Sequence, residues 1–216
     1  MTETRKAVEV FEKSRGGKTA VILSLIKTLS PLEQQVGGAV VEAINHLDAE
    51  SKKQAAGLTV IKVSEHTFQK DKSFILIYVN YRSSKLLLTP IYKKLVTELE
   101  KKLKKTVLVL SNRRILSRWV KENRTQKRPN SRTLTAVYSS ILDELLLPGV
   151  IIGYRTRVRL DGSSFSRIVL DKTEQHFLEE RVDAIKTAYR NLTHRDIEIE
   201  FQKEATYYTL KKGDRR

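Results

Sequence analysis

An apolar spacing pattern that occurs twice constrains this chain more than any other feature. Each copy reads strand, strand, helix, strand, and the two copies flank a segment with no apolar period at all. In the first copy, Leu58–Val63 and Phe74–Val79 are rich in β-branched and aromatic residues and read as strands joined by a polar loop. Thr89 and Pro90 then supply an N-cap and a first-turn proline, and Ile91, Leu95, Leu99 and Leu103 follow at i, i+4. Thr106–Leu110 is a continuous apolar run of strand length, which predicts a central strand. In the second copy, Tyr154–Leu160 alternates, Asp161-Gly162 supplies a hairpin turn, and Arg167–Leu170 returns. A helix capped by Asp171 carries Leu178, Val182, Ile185, Tyr189 and Leu192, and Ile197, Ile199 and Phe201 alternate in a last strand. No residue-level repeat accompanies the shared order.

Two further helices frame the first copy and the junction. Ser30-Pro31-Leu32-Glu33 has the capping-box pattern, with Val36, Val40, Ile44 and Leu47 behind it at helical spacing. Leu134–Leu147 carries Val137, Ile141, Leu142 and Leu145 on one side, and Pro148-Gly149 stops it. The expected fold class is α+β: a mixed or antiparallel sheet packed with helices, in two ββαβ-like halves with a long basic loop between them. One sheet shared by both halves is preferred, because the spacing between them is the basic segment and a helix rather than a second linker. The expected organisation is an N-terminal arm at 1–19, a single domain over 20–202 with its basic loop at 112–132, and a charged tail at 203–216.

The unpatterned segment, Arg113–Arg132, holds Arg113, Arg114, Arg118, Lys121, Arg124, Lys127, Arg128 and Arg132 against the single acid Glu122. It contributes +7 to a formal net charge of +16 on 216 residues. So large an excess repels itself in a compact state, so a polyanionic partner is implied, either nucleic acid or an anionic membrane surface. The segment favours Arg over Lys, and the planar guanidinium suits bidentate phosphate contact and stacking. Ser117, Asn123, Thr125, Gln126, Asn130 and Ser131 add small polar groups that reach phosphate and sugar oxygens. Trp119, the one tryptophan, suits either packing against the body or stacking on an unpaired base. Neutralising about seven phosphates of single-stranded or looped RNA would give log K a slope near −5 against log salt, as an order of magnitude.

A second basic patch follows from strand geometry. Alternation places Arg155, Arg157 and Arg159 on one face and Thr156, Val158 and Leu160 on the other, with Arg167 of the return strand a candidate to join the arginine face. Such a face is either a plain solvent face or one that lies against phosphates. Lys101, Lys102, Lys104 and Lys105 crowd the last turn of the Ile91 helix, where cations complement the helix dipole, and Lys104 and Lys105 also enter the candidate binding set.

Catalytic and metal readings fail on spacing. Gly16-Gly17-Lys18-Thr19 lacks the glycine that a phosphate-binding loop needs five positions earlier, where Glu12 stands. Zero cysteines remove disulfides, thiol catalysis and cysteine-ligated zinc. His46, His66, His176 and His194 show no ligand spacing, and Asp196, Glu198 and Glu200 read as the wet side of their strand rather than a divalent-metal site. The expectation is therefore no catalytic residue, no metal and no cofactor. No apolar run approaches the roughly 20 residues of a bilayer span, and the early acids Glu3, Glu9 and Glu12 argue against a secretory or mitochondrial leader, so a soluble intracellular protein is expected.

Several runs then carry a resemblance. Asn112-Arg113-Arg114-Ile115-Leu116 is followed by Gln126-Lys127-Arg128-Pro129-Asn130-Ser131-Arg132-Thr133-Leu134-Thr135-Ala136-Val137. Ile141–Leu145, Gly153–Val158, Leu160–Ser163 and Leu170-Asp171 continue in order, and Leu95–Lys102 fits as well. Over about residue 20 to Phe201 the chain resembles the eukaryotic small-subunit ribosomal protein S-seven family. Asn130 replaces a third arginine of that pattern, and Ser117-Arg118-Trp119 stands where prolines are usual. The resemblance implies an α+β body bound to small-subunit rRNA, including expansion-segment RNA, beside neighbouring small-subunit proteins. It also implies a part in rRNA maturation and subunit assembly, and residence on the cytoplasmic ribosome after a nucleolar or nuclear stage, with no catalysis and no membrane or small-molecule partner. The alternatives are a non-ribosomal RNA-processing enzyme or RNA-binding factor with a basic loop, and a binder of acidic membranes.

Overall fold

The computed structural model describes residues 30–55, 57–69, 72–116 and 129–202. They fall into two compact units that divide after Glu144. The first unit opens with α1 (Pro31–His46), whose capping box is fully formed: the Glu33 amide donates to Ser30 Oγ at 3.3 Å and the Ser30 amide to the Glu33 carboxylate at 3.1 Å. Val36, Val40 and Ile44 are buried along one stripe, as the spacing predicts. A short α2 (Ala49–Ala55) leads to β1 (Val60–Gln69) and β2 (Lys72–Val79), which pair antiparallel. The polar stretch after Val63, expected as loop, is instead strand as far as Gln69. Paired against β2, the backbone groups on that side are satisfied whatever the side chains are.

A 3₁₀ turn (Tyr81–Ser83) and a one-turn α3 (Ser84–Leu87), neither expected, lead to α4 (Ile91–Leu103). Thr89 does not cap α4; its hydroxyl turns back to the Leu86 carbonyl at 2.6 Å. Strand β3 (Thr106–Ser111) then pairs parallel with β2. The strand order is β1-β2-β3, so β2 is central and β3 is not. The unbroken apolar run in β3 reflects burial of both faces rather than hydrogen bonding on both sides. Helix α5 (Leu134–Leu145) closes this unit.

The second unit repeats the plan. Strands β4 (Ile151–Val158) and β5 (Ser164–Leu170) form an antiparallel hairpin, whose turn places Gly162 at φ 80°, in the left-handed region that suits glycine. Helices α6 (Gln175–Glu179) and α7 (Val182–Thr193) cross over to β6 (Asp196–Phe201), which pairs parallel with β5 in the order β4-β5-β6. Asp171 caps a 3₁₀ turn at Lys172–Glu174, and the expected single helix is broken near Arg181, which is buried with its guanidinium 3.6 Å from the centre of the Phe177 ring. The core lies between α7 and one face of the sheet, where Ile168, Leu170, Ile185, Ala188, Ile197 and Ile199 are buried.

The expected common sheet is therefore two sheets of three strands. Each hairpin gains its third strand from its own helical crossover, so no strand of one half is needed to complete the other. The copies also end their crossover helices alike: Lys104 after α4 and His194 after α7 adopt left-handed φ values of 52° and 55°.

Gly149 follows α5 in a tight space. A Cβ there would lie 2.5 Å from Leu178 Cδ1 and 3.0 Å from the Leu146 carbonyl oxygen, and Leu178 is itself buried. Gly149→Ala is expected to lower stability by about 1–3 kcal/mol, the usual cost of overpacking, read as a lower urea midpoint. An unchanged midpoint would show that the Leu178 side chain can move aside.

Candidate nucleic-acid interface

The candidate residues lie in three places. The first is the carboxyl end of the parallel pair β2 and β3, where the chain leaves the sheet twice and loop side chains converge. The Asn112 amide donates to the Val79 carbonyl at 2.7 Å, extending the ladder one residue beyond β3. Arg113 comes next and turns inward. Its Nε and Nη2 donate to Glu144 Oε1 at 3.1 and 2.6 Å, and the Ser111 amide and hydroxyl donate to the same carboxylate. Glu144, on α5, and Ser111 are both buried. Four donors thus surround one carboxylate, which is how a charge is kept out of water. The Arg113 guanidinium also sits 5.1 Å from the centre of the Tyr81 ring.

Arg114 and Arg132 differ from Arg113: both are exposed, and neither has a carboxylate partner among the described residues. The Leu116 amide donates to the Arg132 carbonyl at 3.1 Å, so the two ends of the basic segment are tied together here. Arg118, Trp119, Lys121, Arg124, Lys127 and Arg128 lie outside the described residues. Around the tied ends is a cleft of ≈ 570 Å³, lined by Tyr81, Asn80, Asn112, Arg113, Arg114 and Arg132 among others. Tyr81, Asn80 and Asn112 were not singled out by spacing. The one available signal is an aromatic residue two positions past an apolar run, Tyr81 after Phe74–Val79 and Asn80.

The second place is the other end of β3. Lys104, in its left-handed cap, is exposed and without a carboxylate partner among the described residues. Lys105 is not free in this way: its ammonium bonds Glu65 of β1 and holds that carboxyl below its ordinary range. A lowered folded-state pKa stabilises above the ordinary carboxylate range, and that contribution is lost as pH falls through the depressed value. Lys101 and Lys102 are likewise paired, with Glu98 and Glu42.

The third place is the outer face of the second sheet. Arg155 stands directly opposite Arg167, and Arg157 opposite Phe165, while Arg167 in turn faces Glu198. The expectation that Arg167 shares the arginine face holds in register, with a difference in charge. Arg167 reaches Glu198 at 3.0 Å and Glu200 at 3.4 Å, and Asp196 pairs with Arg190 at 3.3 Å. Arg155 and Arg157, on the edge strand, are exposed with no carboxylate partner among the described residues; Arg159, just past the strand, lies over the Phe165 ring at 5.7 Å. The face thus grades from cationic at β4 to anionic at β6. Thr156, Val158 and Leu160 lie on the opposite side, where Tyr154 and Thr156 both reach Ser166 Oγ.

Among the described residues no group of three or more His, Cys, Asp or Glu could hold a metal ion, and no helix is long and apolar enough to cross a membrane. The Gly16–Thr19 segment lies outside the described residues.

Residues 20–201 match the family model described as ribosomal protein S7e. The chain is 39% identical to the small ribosomal subunit protein eS7 of Anopheles gambiae over 173 residues, covering 78% of this chain and 88% of that one. It is 40% identical to the eS7 of Drosophila melanogaster over 169 residues, covering 76% and 86%. With eS7z of Arabidopsis thaliana the identity is 37% over 174 residues, covering 80% and 90%. The chain belongs to the ribosomal protein S7e family.

Proposed function

We propose that this protein is a structural constituent of the small ribosomal subunit, bound to small-subunit rRNA and to neighbouring subunit proteins. As a member of a ribosomal protein family it is not an enzyme. The observation that carries the rRNA reading is the division of its cations. Arg113, Arg167 and Lys105 are paired with carboxylates of the fold, whereas Arg114, Arg132, Arg155, Arg157 and Lys104 are exposed without such partners among the described residues. Exposed like charges of this kind repel unless a polyanion lies over them, and phosphate contacts by Arg and Lys are the common currency of RNA backbone binding. In this reading the unpaired cations, with the basic residues between Leu116 and Pro129, hold the rRNA backbone, and Arg113 and Arg167 hold the scaffold. Participation in assembly and rRNA maturation, contact with expansion-segment RNA, and a nucleolar stage before the cytoplasmic ribosome belong to the same proposal.

The test is co-sedimentation with small subunits through a high-salt wash, followed by mapping of protein–rRNA crosslinks. Retention is expected, with crosslinks at peptides flanking Arg114 and Arg132 and on β4. Complete release at moderate salt, with no small-subunit rRNA crosslinked to those peptides, would overturn the assignment.

A further inference from the structure

We propose that the cleft at the carboxyl ends of β2 and β3 is a pocket for one unstacked nucleotide, with Tyr81 as the surface on which its base stacks. The proposal rests on the RNA-binding reading above and adds a base-contacting site to what is otherwise a backbone-binding surface.

Three observations converge on it. Tyr81 is 55% exposed at the mouth of the cleft, so its ring is open to a ligand, and yet it is held in place. The Asn80 side chain accepts from the Arg82 amide, Ser84 Oγ donates to the Tyr81 carbonyl at 2.7 Å, and the Arg113 guanidinium approaches the ring. Arg113 in turn is fixed by the buried Glu144, so the ring is supported from the core outward. A pre-positioned aromatic face loses little freedom when a base stacks on it.

The lining also has the right composition. At ≈ 570 Å³ the cleft lies within the range of about 300–1,000 Å³ typical of small-ligand sites. Asn112 is exposed at its wall and carries both a donor and an acceptor, which can meet a base edge. Arg114 and Arg132 stand at the same cleft for the phosphates on either side of the base, and none of the lining residues is acidic. A paired base cannot enter, because its edge is used and its faces are stacked, so the site selects single-stranded or bulged RNA.

The experiment uses the full chain and two probes: a short oligoadenylate, and an RNA duplex of the same length. Affinity is measured by fluorescence anisotropy over a range of salt. Tyr81→Leu is expected to weaken the single strand about tenfold while leaving the duplex affinity and both salt slopes unchanged, because a stacking contact is lost and no phosphate contact is. Tyr81→Phe should restore the single-strand affinity, and Asn112→Ala should weaken the single strand without touching the duplex. If wild-type protein binds the single strand and Tyr81→Leu binds it equally well, the pocket is overturned and the RNA-binding reading stands. If wild-type protein binds neither probe, both fall. Thermal unfolding of each variant accompanies the titrations, and a Tyr81→Leu variant that unfolds early would assign the ring to the scaffold and also overturn the pocket.

Discussion

Glu144→Ala is expected to lower the free energy of unfolding by about 3–5 kcal/mol, the largest single-site effect anticipated in this protein. The carboxylate is buried and accepts from the Ser111 amide, the Ser111 hydroxyl and two nitrogens of Arg113. Its removal leaves the Ser111 N–H without a partner in the core and the Arg113 guanidinium, whose side chain is only 19% exposed, without its counter-charge. Arg113→Met is expected to cost a comparable amount, because it leaves the Glu144 charge buried with Ser111 alone. The double variant Arg113→Met with Glu144→Met should recover much of the loss, since an apolar pair of similar volume avoids the desolvation of both ions. Urea unfolding at neutral pH gives all three values. Single-variant losses below about 1 kcal/mol would mean that the pair behaves as an exposed salt bridge, contrary to the burial described above.

The second large effect concerns RNA affinity. Replacing Arg155, Arg157 and Arg159 together by alanine is expected to lower affinity for single-stranded RNA by roughly 10- to 100-fold at moderate salt. The slope of log K against log salt should flatten by about 2, at about 0.7 per phosphate contact. Arg167→Ala provides the contrast. Although it removes a cation from the same sheet face, that cation is paired with Glu198 and Glu200, so the slope should stay near the wild-type value. Equal flattening by Arg167→Ala would show that its ion pairs open when RNA binds. An unchanged slope in the triple variant would remove β4 from the binding surface.

Much of the fold was legible from spacing. The capping box at Ser30 and Glu33, the turn glycine at Gly162 and the alternation of Ile197 and Ile199 with acidic neighbours all appear where local rules place them. Those rules depend on residues a few positions apart, and helix and strand periods are properties of such short windows. The errors share a cause as well. Spacing makes β3 read as central, although it lies at the sheet edge, because an apolar run reports burial and not hydrogen-bonded neighbours. The polar end of β1 looked like loop because its pairing partner, not its composition, makes it a strand. The choice between one sheet and two depended on which strands meet after a crossover, and no short window contains that information.

The candidate surface divides in the same way. That the chain is strongly cationic, that Arg155 and Arg157 share a strand face, and that a basic segment separates two similar halves follow from residue identity and spacing alone. Which of those cations remain available to a polyanion was decided by tertiary structure. Glu144 is 31 residues from Arg113, and Glu198 is 31 residues from Arg167; both are brought into contact by elements that fold between them. A charge is a property of its residue, but its neutralisation is a property of what the fold sets beside it. The same applies to Tyr81, an unremarked aromatic in the chain that becomes the wall of a cleft only when β2 and β3 end side by side.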